Sequence, residues 1–326
     1  MKHSCHPTSF LVLSLFVFLL TGCVVTKPMT VHQQSDTVTV APPPPPPLPP
    51  VYMKPKVALV LGGGAARGFA HVGVLRELEK EKIPIDMIVG TSVGSLIGAM
   101  YASNPNTFEL EWTAFKLEKD DIFDFSLFSS ATGPVKGDKL EKFVLAQIPK
   151  QEIEQFAIPY YAVAADLNTG EPVIFSSGPV CKAVRASCSI PGIFTPLNYN
   201  NRMLVDGGVL GNFAPEVARK NGANVVIVVS IGKTVENKQT NNVIEITLQA
   251  IAIMSSRIDA FKAKDADVVI SPNVGDVGTT DFSQKKRCME AGIKAATEAV
   301  PDIIAKINLI RNTVDSAATA AQNSNR

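Results

Sequence analysis

The run Val57-Ala-Leu-Val-Leu61 passes directly into Gly62-Gly-Gly64-Ala-Ala-Arg67-Gly68. An apolar run that ends in three glycines is the pattern of a buried strand opening into a tight loop and then a helix. A second apolar stretch, Ile83 to Val89, ends in Gly90-Thr-Ser92-Val-Gly94. A serine between two glycines at a strand-to-helix corner is lifted clear of its neighbours by the turn, as in a nucleophile elbow. Backbone N–H groups of the first loop can then lie beside that hydroxyl, which pairs a nucleophile with donors for an oxyanion.

From Lys56 onward apolar runs alternate with helical periodicity, which predicts an α/β fold: one domain over 54–316, with a mostly parallel central sheet and helices on both faces. Strands are expected at Val57–Leu61, Met87–Val89, Ile158–Ala164, Pro172–Phe175, Asn224–Ser230 and Asp267–Ile270, with a further apolar strand leading into Asp206-Gly-Gly208. Helices are expected at Gly68–Lys82, Val93–Ala102, Thr107–Lys119, Gly137–Ile148, Val180–Ser189, Val243–Lys264 and Ser283–Asn312. Asn198 to Arg202 reads as a polar bend. Phe123, Phe125 and Phe128 fall in near alternation, as in a core strand or the lining of an acyl-chain pocket.

The N-terminus reads as a targeting segment. Lys2 is followed by an apolar stretch from Phe10 to Leu20, too short to span a bilayer and the right size for an export signal. Leu20-Thr-Gly-Cys23 then resembles the lipobox of bacterial lipoproteins, which makes 1–22 a signal peptide and Cys23 the lipidated residue. Several acyl chains on one cysteine anchor a protein durably without a transmembrane helix. The resemblance to lipoproteins implies, by the family's sorting rule for the residue after the cysteine, here Val24 and not Asp, an outer-membrane location facing the periplasm. Residues 23–53 end in a proline run, expected to form an extended polyproline II linker, and 317–326 reads as a flexible tail.

A net charge of +1, with no dense Lys/Arg stripe, gives no basis for nucleic-acid binding. Of five cysteines, Cys181, Cys188 and Cys288 remain beyond the signal and the lipobox. Their number is odd and their spacing suits no metal, so they are expected as buried free thiols, with neither metal nor cofactor.

A serine nucleophile ordinarily needs a histidine as its base. Beyond the linker the chain has only His71, set in an apolar helix ahead of the serine. It reads as a structural residue. The proton then has to go to a carboxylate, and Asp206 is placed for that: it follows an apolar strand and precedes two glycines, at the strand end where open α/β sheets bind ligands. An ordinary Asp, with a pKa of about 3.9, is a weak base at neutral pH; burial would raise it. Asp166, in Asp166-Leu-Asn-Thr-Gly170, ranks second because Asp at such a position commonly serves its own turn.

The Gly62–Gly68 loop, Gly90-Thr-Ser92-Val-Gly94 and Asp206-Gly-Gly208, in that order, resemble the patatin-like phospholipase family, over roughly Pro55 to Asn273. The resemblance implies a patatin-like domain with a Ser–Asp dyad and no histidine, Ser92 as nucleophile and Asp206 as its partner. It also implies Gly62, Gly63, Gly64 and Arg67 as the oxyanion region, and phospholipid or lysophospholipid as substrate. One departure is Ala65, where the family's Gly-x-Gly-x-x-Gly pattern, set on Gly63 and Gly68, has glycine. Two alternatives stay open: an idle lipid-binding lipoprotein on the same fold, and a Rossmann-type nucleotide-binding protein using the first loop for pyrophosphate.

Overall fold

The computed structural model describes residues 54–124, 133–232, 243–278 and 280–324. The signal segment, Cys23, the proline-rich linker, Phe125 and Phe128 lie outside the described residues. In chain order the first elements are β1 (Val57–Leu61), α1 (Phe69–Lys80), β2 (Met87–Thr91), α2 (Val93–Ser103), α3 (Thr107–Lys116), α4 (Lys119–Ile122) and α5 (Asp138–Gln147). Then come β3 (Tyr160–Asp166), β4 (Pro172–Phe175), α6 (Val180–Ser187), β5 (Leu197–Tyr199), β6 (Arg202–Asp206), α7 (Pro215–Lys220) and β7 (Val225–Val229). The chain closes with α8 (Val243–Lys262), β8 (Val268–Ile270) and α9 (Lys285–Ser324).

All five residues of β1 are fully buried. Side chains alternate along a strand, so Val57, Leu59 and Leu61 join the core on one face, with side chains of α1, α2 and α9, while Ala58 and Val60 join Phe213 and Val217 on the other. A strand apolar on both faces requires cover on both, and it receives it. The sheet runs β5-β6-β3-β2-β1-β7-β8, with β4 paired to β3. β3, β2, β1, β7 and β8 are mutually parallel; β4 and β6 run antiparallel to β3, and β5 antiparallel to β6. This is the mostly parallel sheet that the sequence predicts.

The registers on β3 place the ends of two strands together. β2 pairs with Tyr160 to Val163, β4 with Ala162 to Ala165 and β6 with Ala164 to Asp166. β4 overlaps both of the others, so it must occupy one edge of β3 while β2 and β6 share the opposite edge. They approach from opposite directions: Thr91 stands level with Val163 and Asp206 with Ala164, one rung apart.

Several elements depart from expectation. β2 continues through Gly90 and Thr91, two residues past the apolar run. The polar bend is a hairpin between β5 and β6, turned at Asn200 and Asn201, whose φ values of 48° and 59° suit a tight two-residue turn. The six-residue α7, begun by Pro215 at a helix-starting position, was not legible as a helix. α9 runs on to Ser324, beyond the composition boundary at Ala317. Among the described residues no helix is long and apolar enough to cross a membrane.

α1 and α9 cross at backbone contact. A Cβ on Gly73 would lie 2.1 Å from the Met289 carbonyl oxygen, and one on Gly292 2.1 Å from that of Ala70. Gly73→Ala therefore has to push the helices apart and is expected to cost about 1–3 kcal/mol, as overpacking does. Urea unfolding checks this; an unchanged midpoint would contradict the packing.

Candidate active site

β2 ends at Thr91 and α2 begins at Val93, which leaves Ser92 alone at the corner with φ 54° and ψ −128°. Such a conformation costs a non-glycine residue about 1–3 kcal/mol and persists only where the surroundings over-determine it. They do so here. A Cβ on Gly90 would come within 2.5 Å of the Gly94 carbonyl oxygen, and one on Gly94 within 2.2 Å of that of Leu61, so only glycine lets the chain turn this closely. The Ser92 N–H donates to Ser187 Oγ at 2.9 Å, and that hydroxyl donates to the Val163 carbonyl at 2.7 Å. The corner is thereby pinned to β3. Ser92 itself is 6% exposed, and α2 starts behind it, so the positive end of the helix dipole lies at the hydroxyl.

The glycine loop is held peptide by peptide. The Gly62 N–H donates to the Val229 carbonyl at 3.0 Å and the Gly63 N–H to the Asn212 carbonyl at 2.8 Å. These two amides, which the resemblance places among the oxyanion donors, are therefore spent on fastening the loop. They are equally unavailable to a pyrophosphate. The amides of Gly64 and Ala65 have no acceptor among the described residues. Arg67 Nε donates to the Gly64 carbonyl at 3.2 Å. Because C=O and N–H point oppositely across a trans peptide, that contact turns the Ala65 N–H the other way. Ala65 takes a left-handed φ of 50°, so the residue that departs from the glycine pattern adopts a glycine-like conformation.

His71 is fully buried and its Nε2 lies 2.7 Å from the Gly62 carbonyl. Burial lowers its pKa to about 4, against the opposing effect of that carbonyl, so the ring is neutral and donates from Nε2. It supports the loop from beneath, as the structural reading of the sequence expects.

Asp206 ends β6, 4% exposed. Its N–H donates to the Ser189 carbonyl at 2.9 Å, and its Oδ1 accepts the Gly208 N–H at 2.7 Å. Burial pushes the carboxyl up to about 6, while the Ser92 hydroxyl and the Gly208 amide pull it back. Ser92 is thus near enough to favour the carboxylate, yet Oδ2 has no hydrogen bond of ordinary length and angle among the described residues. Such pairs commonly tighten only when substrate arrives. Asp166 does serve its turn: its Oδ1 accepts the Asn168 N–H at 3.0 Å and its carbonyl accepts the Gly170 N–H at 2.8 Å.

Two cavities meet at Ser92. An apolar one of about 60 Å³ is walled by Phe69, Leu96, Leu117, Phe123, Phe194 and Phe282. A more polar cleft of about 190 Å³ holds Asp206, Arg67 and Asn212, with Leu248, Gln249 and Ser255 of α8 on its far side. Phe123 is both core and pocket wall, stacked edge-on against Phe282 at 6.3 Å. Among the described residues no three His, Cys, Asp or Glu gather as a metal site, and Cys181, Cys188 and Cys288 are free and buried.

Sequence reasoning missed Ser187, Asn212, and Arg185, whose buried guanidinium grips the Thr195 carbonyl at 2.7 Å and the Ser189 hydroxyl. Asn212-Phe-Ala-Pro215 follows the Asp206-Gly-Gly208 turn after three residues, and an amide side chain directly after Gly211, so near the candidate carboxylate, was a signal that could have been followed.

A profile of the family described as patatin-like phospholipase matches residues 59–219. Lysophospholipase NTE1 of Meyerozyma guilliermondii is 34% identical over 225 residues, 68% of this chain and 15% of that protein. An uncharacterized NTE family protein of Mycobacterium bovis is 30% identical over 278 residues, covering 76% of this chain and 47% of that one. The chain thus spans less than half the length of either relative. The crystal structure of VipD from Legionella pneumophila superposes with a TM-score of 0.53 at 12% identity, over 78% of this chain and 67% of that chain, a likeness of fold alone. The profile match covers both glycine corners and Asp206, and with these relatives it shows that the chain belongs to the patatin-like phospholipase family.

Proposed function

We propose that the protein is a serine acyl-ester hydrolase of phospholipase A or lysophospholipase type, working through Ser92 and Asp206. The observation that carries this reading is the shared edge of β3, where β2 ends at Thr91, just before the strained Ser92, and β6 ends at the buried Asp206 on the neighbouring rung. The Ser92 hydroxyl gives its proton to Asp206 Oδ2 as Oγ attacks the ester carbonyl carbon. The carbonyl oxygen takes the negative charge, and the amides of Gly64 and Ala65 donate to it, with the α2 dipole behind. Collapse breaks the ester bond, and Asp206 returns the proton to the leaving alcohol. Water then attacks the acyl-serine, giving its proton to Asp206 and from there back to Ser92.

The two cavities support a lipid ester. The apolar one suits an acyl chain and the polar one the glycerol and head group, with the scissile carbonyl between them at Ser92. The relatives named as lysophospholipases favour the same class. On the motif Leu20-Thr-Gly-Cys23 and on Val24, we place the protein at the outer membrane, facing the periplasm and anchored by lipid on Cys23, which concentrates it at its substrate.

Ser92→Ala and Asp206→Asn are each expected to lower kcat on a soluble short-chain ester by about 10³-fold or more, with the melting temperature close to the parent's. Turnover within a few-fold of the parent in either purified variant would refute the pair. The pH profile is an independent check. A base must be unprotonated, so kcat/KM should fall as pH drops through the Asp206 pKa of about 6 and level off above it. A profile flat down to pH ~4.5 would contradict Asp206 as the base, since an unburied carboxylate is still ionised there.

A further inference from the structure

We infer that Asp259, on α8, is a positioning residue for the oxyanion loop and acts through Asn212; this rests on the hydrolase reading above. Asp259 holds Asn212 at two points: its Oδ1 accepts the backbone N–H at 2.7 Å, and its Oδ2 accepts the side-chain Nδ2–H, also at 2.7 Å. Asn212 in turn accepts the Gly63 N–H on its carbonyl, while His71 holds the Gly62 carbonyl, the other end of the same peptide. That peptide is therefore gripped from both sides, and Asp259 ties the Asn212 side of the grip to α8. The next two amides along the loop, Gly64 and Ala65, are the ones left for an oxyanion.

The charge on Asp259 fixes more than the backbone. A carboxylate accepts and does not donate, so it must face the NH₂ of Asn212 and turn the amide oxygen away. That oxygen lies 3.3 Å from where a Cβ on Gly63 would stand and 3.6 Å from one on Gly208, between the two halves of the site. α8 touches the other half as well, since Ser255 Oγ donates to the Gly208 carbonyl at 2.8 Å, two residues past Asp206. Burial pushes the Asp259 carboxyl up, while both Asn212 donors and the Lys262 charge pull it back, so the clamp holds the carboxylate as much as the carboxylate holds the loop.

Asp259→Asn tests this on the full chain with a soluble short-chain p-nitrophenyl ester. The replacement keeps the shape but sets an NH₂ against one of the two Asn212 donors. The expected result is a fall in kcat of about 10- to 100-fold, the scale of a catalytic group displaced by about 1 Å, with KM within about 2-fold and the acidic limb of the pH profile in place. Asn212→Ala, which keeps the backbone half of the clamp, should lose less, and adding Asp259→Asn to it should cost less than it does alone. Unchanged kcat in Asp259→Asn, a loss confined to KM, or losses that multiply in the double variant would overturn the inference. If Asp259→Asn does not fold, an unchanged kcat in Asn212→Ala overturns it instead. A parent protein that turns over no ester removes the hydrolase reading and this inference with it; an active parent matched by Asp259→Asn removes only the inference.

Discussion

One edge of β3 carries two strands of opposite sense, and the site depends on that arrangement. β2 arrives parallel and stops at Thr91; β6 arrives antiparallel and stops at Asp206, on the next rung. A serine and a carboxylate far apart in sequence are thereby made neighbours by backbone hydrogen bonds, without either side chain having to reach. Ser187 secures the junction: its hydroxyl accepts from the Ser92 amide and donates to Val163, on the rung where β2 ends. β4 on the far edge keeps β3 from becoming an exposed edge strand there.

Burial then sets the chemistry of the two titratable groups in opposite directions. It favours the neutral form of each, raising Asp206 to about 6 and lowering His71 to about 4. The carboxyl is brought toward the range useful to a base at neutral pH, while the imidazole is removed from acid–base work and committed to the Gly62 carbonyl. The fold thus shows in physical terms why a histidine one helix from the serine is no substitute for a triad base. Its donor faces the Gly62 carbonyl, in the loop whose Gly64 and Ala65 amides have no acceptor among the described residues.

Much of this was legible in sequence because it rests on local steric demands. Gly90 and Gly94 have to be glycine where the backbones approach, and β1 has to be apolar throughout because it is covered on both faces, so Ser92 and the first strand could be read directly. Asp206 followed from its place after an apolar strand. The division of labour within the loop did not. Which of four successive amides are free depends on Val229, Asn212 and Arg67, and no spacing rule ties Asn212 to Gly63. The turn at Asn200-Asn201 was carried by two residues that tolerate positive φ, but strands as short as β5 leave too little alternation to read. The same holds for α7, at six residues less than two helical turns.

The two cavities give the site its polarity: apolar on one side of Ser92 and more polar on the other, with Ser92 in the wall of both. Ser92 as a reactive hydroxyl at that junction is the central claim. Incubation with a fluorophosphonate, followed by peptide mass spectrometry, tests it most directly. The account predicts one phosphonyl group per chain, on the peptide containing Ser92, and none after Ser92→Ala; labelling of a different serine, or none in a folded protein, would contradict it.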